Sequence, residues 1–238
     1  MSKGKLHRTR SVSVATLAGV MLIIGGAGQA IATAPEPTKS APTIEDLATF
    51  PAVQAALLAG DAARLDDLLQ QQPAAVRARD ASGATPLHVA ARLMNLKVTK
   101  VLLSRGADPN TRDRDGFTAL HVVAYTGGEK NSSDVRAELT RLLIASGTDI
   151  KAKDAHGKTA LHLAAMKGRM EMFAPLRAAV DAVDDRGRTP LHDAAIYAQL
   201  QAIKWLLDSG AALAAKDQEG NTPLHLAAER FRIEASEQ

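Results

Sequence analysis

Five histidines recur in one setting. His88, His121, His162, His192 and His225 each follow a Thr-Pro-Leu or Thr-Ala-Leu triplet, at intervals of 33, 41, 30 and 33 residues. Imidazole titrates near neutrality and ligates divalent metals, so five in register invite an acid–base or metal-binding reading. Geometry argues against both. Side chains at one position of successive packed helices stand a helix-packing distance apart, about 8–10 Å, whereas zinc needs its ligands ~2 Å from a single ion. The remaining chemistry is sparse. The chain has no cysteine, which removes thiolate nucleophiles and cysteine zinc sites. It contains no G-x-x-x-x-G-K-[ST], H-E-x-x-H or G-x-S-x-G string. Among the other histidines, His7 lies near the N-terminus and His156 in a turn. No catalytic residue, metal ligand or cofactor site is predicted, and an enzyme is not expected.

The elements that hold these histidines repeat with them. The full phrases are Thr85–Ala90, Thr118–Ala124, Thr159–Ala164, Thr189–Ala194 and Thr222–Ala227. Ahead of each stands a four-residue turn that opens with aspartate and closes with Gly83, Gly116, Gly157, Gly187 or Gly220; glycine supplies the positive φ such a turn needs. The threonine two residues later is placed to cap an inner helix, with Pro86, Pro190 and Pro223 at the first helical position. Outer helices are predicted through Val101-Leu102-Leu103, Leu142-Leu143-Ile144 and Trp205-Leu206-Leu207, ended by Gly106, Gly147 and Gly210.

A period near 33 carrying T-P-L-H-x-A resembles the ankyrin-repeat family, over roughly Pro51 to the C-terminus. The resemblance implies an all-α repeat solenoid of helix pairs with β-turn fingers. It also implies a structural histidine, bonded to backbone groups and tightening successive fingers. Residues 51–238 are assigned to this domain, with a cap-like repeat at 51–79. Repeats start near 80, 113, 154, 184 and 217, the last of them truncated. Three departures from the period carry expectations. Gly127–Asp134 is surplus and reads as a surface loop. Pro175 falls inside the expected outer helix Met170–Ala178 and should shorten or kink it, since proline in a helix interior costs ~3 kcal/mol. The polar segment Ala228–Gln238 is expected to act as a terminal cap.

The N-terminal 32 residues read differently. Lys3, Lys5, Arg8 and Arg10 precede an apolar run, Val12 to Ile31, that ends in Ala30-Ile31-Ala32. A positive region, an apolar region and an A-x-A end describe a secretory signal peptide at 1–32. The rival is an uncleaved N-terminal anchor, because the run approaches the ~20 residues that span a bilayer. Either places the repeats outside the cytoplasm, as a periplasmic or secreted protein. Residues 33–50, with Pro35, Pro37 and Pro42, read as an extended linker. No membrane contact is expected after cleavage. The formal charge of +3 also belongs to this leader; without it the balance is 25 basic against 26 acidic residues. No nucleic-acid footprint remains.

In the ankyrin-repeat family the finger tips and two positions late in each inner helix form one concave binding face. Mapped onto this chain, that face carries three of its seven aromatic residues, Phe117, Tyr125 and Tyr197. The resemblance therefore implies a protein partner docking on Arg114, Phe117, Tyr125, His156, Lys158, Met166, Arg186, Arg188, Ile196 and Tyr197, aromatic and arginine residues being typical interface anchors. The chain is expected to be a monomeric adaptor, inhibitor or stabiliser. Alternatives are an accessory factor supporting a periplasmic enzyme, for example in oxidative-stress defence, or an immunity protein neutralising a toxin. Arg79, Arg112, Lys153 and Lys216, just before the finger aspartates, are expected to form a solvated salt-bridge ladder.

Overall fold

A computed structural model describes residues 46–127 and 133–236, with side chains described as far as Arg230. The expected leader and most of the expected linker lie outside these residues. Within them the chain forms ten α-helices: α1 Pro51–Ala59, α2 Ala62–Gln71, α3 Pro86–Arg92, α4 Leu96–Ser104, α5 Ala119–Tyr125, α6 Ser133–Ala145, α7 Ala160–Lys167, α8 Pro190–Ile196, α9 Leu200–Asp208 and α10 Pro223–Ser236. The inner helices α1, α3, α5, α7, α8 and α10 pack on one another in chain order, and α2, α4 and α6 form the adjoining outer row.

Each inner helix of the five phrases starts the same way. Thr85, Thr118, Thr159 and Thr189 have extended backbone and accept the first helical N–H groups. The histidine three residues on closes a capping box that usually employs glutamate or glutamine. The buried faces then use small and branched residues. Leu87, Leu120, Leu161 and Leu191 are at most 1% exposed, with Ala90, Ala124, Ala164 and Ala194 fully buried beside them. Alanine at these contacts lets the inner helices approach closely.

The fingers are held by their aspartates. The Asp113 carboxylate accepts from the N–H groups of Asp115 (3.0 Å) and Phe117 (2.8 Å), and Asp80, Asp154, Asp184 and Asp217 do the same in their turns. Successive fingers are stitched by backbone bonds: Arg114 to Ser82, Ala155 to Asp115, Asp185 to His156 and Gln218 to Arg186. Gly116 is required twice over at this seam. Its φ is 77°, and a β-carbon there would lie 2.6 Å from the Ala155 nitrogen.

The irregular intervals resolve locally. Around Pro175 no α-helix forms; Met170–Met172 and Arg177–Ala179 are separate 3-10 turns, because proline has no N–H to give and its ring blocks the preceding turn. The core is nevertheless filled there by fully buried Met172, Phe173 and Leu176, with the Phe173 ring edge-on to Trp205 at 5.2 Å. At the long interval, the expected loop Gly127–Asp134 needs correction at its end: Ser133 and Asp134 belong to α6, which at 13 residues is longer than α4 or α9. Residues 128–132 lie outside the described residues. The helix so lengthened carries Arg136, buried, whose guanidinium donates to the carbonyls of Val123 (3.2 Å) and Thr126 (2.9 Å) and so closes the C-terminal end of α5.

Two further expectations are corrected. Asp46–Phe50, placed in the linker, belong to the stack: Leu47 is buried and its N–H donates to the Arg79 carbonyl at 2.8 Å. The salt-bridge ladder does not form either. The Arg79 guanidinium donates instead to the carbonyls of Gly83 and Arg112 (2.9 and 2.6 Å), and Arg112, Lys153 and Lys216 join no ion pair among the described residues.

Between inner and outer helices one residue is left-handed in four of the repeats. Glycine takes this position at Gly60 and Gly168, but Met94 (φ 53°) and Ala198 (φ 52°) take it elsewhere. A side chain in this region costs about 1–2 kcal/mol, against up to ~1 kcal/mol for the extra freedom of glycine in the unfolded chain. Ala198 is exposed and Met94 packs on the core. Ala198→Gly is therefore expected to stabilise the protein by roughly 0.5–1 kcal/mol, read as a rise of about 1–4 °C in Tm. Met94→Gly forfeits that gain through lost packing. An unchanged or lower Tm for Ala198→Gly would rule out strain at the turn.

Candidate protein-binding face

The histidines come first, because they set the register of everything on the face. In the first four phrases the threonine N–H donates to Nδ1 of the histidine (3.1–3.2 Å), which therefore carries no proton. The proton sits on Nε2, which donates to the carbonyl before the next cap threonine: Phe117 for His88 (2.8 Å), Lys158 for His121 (3.1 Å), Arg188 for His162 (2.9 Å) and Asn221 for His192 (3.1 Å). Each imidazole thus ties one inner helix to the following finger. Burial disfavours the charged forms of three of them: His88 and His121 titrate below the ordinary value, and His162 is pushed down to about 4. Neutral, doubly bonded and separated by whole repeats, they are rivets; among the described residues no three acidic or histidine side chains converge on a metal-sized site.

The ten residues on the expected face divide by what their polar or apolar ends touch. Arg114, His156 and Arg186 are exposed at finger tips, their main chains committed to the finger ladder. Phe117 is half-buried, its ring stacked on His121 (5.8 Å) and edge-on to Tyr125 (5.9 Å). Tyr125 and Tyr197, each 43% exposed, carry a cation from the next inner helix: Lys167 Nζ lies 4.8 Å from the Tyr125 ring centre, and the Arg230 guanidinium 5.6 Å from that of Tyr197. Met166 and Ile196 are half-buried between these rungs.

Lys158 and Arg188 point inward along the seam between repeats. The Lys158 ammonium donates to both oxygens of Asp193 (2.8 and 2.6 Å) and lies 3.1 Å from Asp184. Arg188 Nε lies 3.3 Å from the Asp217 carboxylate. Burial alone would lower the Lys158 pKa, but Asp193 and Asp184 together hold it above the ordinary lysine value. Burial pushes the Asp193 carboxyl up despite the ammonium beside it. Asp184 is also burdened by burial, yet the N–H groups of Arg188 and Arg186 and the Lys158 ammonium keep it below the usual range. Sequence alone carried a signal for this cluster: Asp193 stands where the other phrases have Val89, Val122, Leu163 and Leu226.

The structure adds Leu58 to the face, and Leu93 stands at one of the two late inner-helix positions that the resemblance maps onto it. Counting back from the left-handed turn residue of each repeat places Leu58 with Arg92, Met166 and Ile196, and Leu93 with Lys167 and Tyr197. Leu58 is 51% and Leu93 45% exposed, so α1 and α3 present apolar side chains at the same end as Tyr125 of α5 and Tyr197 beside α8. Aligning Gly60 with Gly168 as the glycines that close their helices would have revealed Leu58.

Comparison with known proteins follows the same register. A family model described as ankyrin repeats matches the chain in three copies, at residues 52–135, 131–217 and 178–237. The chain is 36% identical over 133 residues to palmitoyltransferase AKR1 of Lachancea kluyveri, covering 54% of this chain and 17% of that protein. It is 33% identical over 147 residues to neurogenic locus notch homolog protein 1 of Homo sapiens, covering 62% of this chain and 6% of that protein. It is 45% identical over 65 residues to a transient receptor potential cation channel subfamily A member 1 homolog of Caenorhabditis elegans, covering 27% and 5%. The chain therefore spans less than a fifth of each of these relatives.

Proposed function

Because the chain belongs to the ankyrin-repeat family, whose repeats are generally protein–protein interaction modules, we propose that it is a non-catalytic module outside the cytoplasm that binds a protein partner on its finger and inner-helix face. The observation that carries this reading is the exposed apolar side chain that recurs at the C-terminal end of four inner helices: Leu58, Leu93, Tyr125 and Tyr197. Large apolar residues scattered singly over a surface are ordinary, whereas their recurrence at one end of successive inner helices marks one face of the stack. The cations over the two tyrosines, together with Arg114 and Arg186 at the finger tips, supply the polar rim such a centre needs. Lys158 and Arg188 serve this face indirectly, by fixing the seams on which the fingers stand.

Location outside the cytoplasm rests on the leader. Periplasmic fractionation of the full chain, with the exported form starting at Thr33, checks it. Binding is tested with the Leu93→Ala/Tyr125→Ala/Tyr197→Ala variant, whose targets are exposed enough to leave the fold intact. The partner recovered by the parent protein from the extracytoplasmic extract is expected to bind this variant ~100-fold more weakly or worse, at unchanged Tm. Undiminished binding would place the interface elsewhere.

A further inference from the structure

The proposed binding face is charged unevenly. Its floor is formed by the last two residues of each inner helix and the turn that follows, with Glu229 and Arg230 at the equivalent positions of α10. The floor carries Arg92, Lys167, Arg169 and Arg230 against two acids, Asp61 and Glu229. The Asp61 carboxylate is already engaged as the cap of α2, accepting from the Arg64 N–H at 3.0 Å. Arg92, Lys167 and Arg169 join no ion pair among the described residues. The Arg169 guanidinium gives Nη2 to the Thr126 carbonyl (3.2 Å), but its Nε meets no acceptor among them. At the finger tips the balance is reversed: Arg114 and Arg186 each adjoin an acid, Asp115 and Asp185, and Glu219 adds a further negative charge. Helix dipoles do not cancel the excess on the floor, because α2, α4 and α9 each begin, with their positive N-termini, where an inner helix ends. Nor is the excess a general property of the chain, since residues 33–238 hold 25 basic and 26 acidic side chains.

We propose that this floor takes an extended segment of the partner in which carboxylates alternate with apolar side chains. The assignment rests on the reading of this face as the docking site and adds the chemistry of what docks there. Arg92, Lys167 and Arg169 supply the countercharges, and a guanidinium holds a carboxylate through two parallel N–H donors. Leu93, Tyr125 and Tyr197, 43–45% exposed, supply the apolar contacts. The two kinds of residue are interleaved, since Lys167 of α7 stands over the ring of Tyr125 on α5. A carboxylate that meets Lys167 therefore brings its neighbouring side chain against Tyr125. From α3 to α8 is three helix-packing steps, roughly 24–30 Å, which about eight extended residues span at ~3.3 Å each. A basic segment would meet like charge, and a purely acidic one would leave the apolar side chains uncovered.

Fluorescence anisotropy on the full chain tests this with three labelled eight-residue peptides: alternating glutamate and leucine, alternating lysine and leucine, and glutamate alone. The glutamate–leucine peptide is expected to bind roughly tenfold or more tighter than either of the others, with an affinity that falls as salt is raised. Arg92→Glu/Lys167→Glu should weaken it by a similar factor at unchanged Tm, because both side chains are exposed. Arg114→Glu/Arg186→Glu at the fingers should leave it within about threefold. Equal binding of the lysine peptide, no binding of the glutamate–leucine peptide, indifference to Arg92→Glu/Lys167→Glu, or a larger loss from the finger variant would each overturn the proposal. Any of these leaves the face itself standing while Leu93→Ala/Tyr125→Ala/Tyr197→Ala still loses the partner; a partner retained by that variant removes the face instead.

Discussion

Lys158→Met is expected to destabilise the protein by about 3–5 kcal/mol, although lysine is ordinarily among the most dispensable of surface residues. The side chain belongs to a finger, but its ammonium bridges Asp193 of α8 and the finger aspartate Asp184, and Asp193 is almost fully buried. Removing the cation leaves two carboxylates close together, both buried, with no countercharge. The double variant Lys158→Met/Asp193→Leu separates this from a general loss of packing. It restores the apolar residue that the other four phrases carry, and replacing a buried ion pair by hydrophobic side chains is often neutral or stabilising by 1–4 kcal/mol. Urea denaturation of the single and double variants is the measurement. If Lys158→Met costs less than ~1 kcal/mol, the pair behaves as a solvated surface bridge and the buried-charge account fails.

The second large effect belongs to the histidine rivets. His162→Ala removes the donor to the Arg188 carbonyl and the acceptor for the Thr159 N–H, at a site where the ring is fully buried. Buried polar groups left unpaired cost about 1–3 kcal/mol each, so a total of roughly 2–5 kcal/mol is expected. The same change at His225, exposed and with no Nε2 acceptor among the described residues, should cost well under 1 kcal/mol on the same argument. Equal costs at the two positions would mean that the tie to the following finger carries no weight.

The histidines also set a pH window. His162 is neutral in the folded state down to about pH 4, against 6.5 for the unfolded chain, so on acidification the unfolded chain takes up its proton first. Its contribution is complete above 6.5 and is lost progressively between 6.5 and 4, roughly 3 kcal/mol in all. His88 and His121 act in the same direction. Asp193, raised by burial, works in the opposite sense, because its folded form takes up a proton before its unfolded form does. The net expectation is a urea midpoint that falls as pH drops through this window; a flat profile between 6.5 and 4 would contradict the neutral, buried imidazoles.

The local grammar of this chain was legible because it is set by short-range sterics and capping. Threonine before a helix, proline at its first turn, glycine at each finger and an aspartate to fold that finger all act within a few residues of themselves. The spacing of five phrases then established the stack, and Pro175 announced a broken outer helix. Less legible was anything decided between repeats. Leu58 lacked the phrase that would have put it in register with Arg92. Lys158 and Arg188 have the composition of an interface, yet their charged ends turn into the seams.

Sequence by itself therefore determined the repeat architecture, the structural role of the histidines and the register of the face. Only the tertiary structure decided which members of that register meet solvent. A side chain in an array faces whatever the next repeat supplies: a buried aspartate at Lys158, a carbonyl at His162, and no described neighbour at His225. The five recurring histidines were identical in their own phrases, and it is the neighbouring finger that makes four of them rivets and leaves the fifth open.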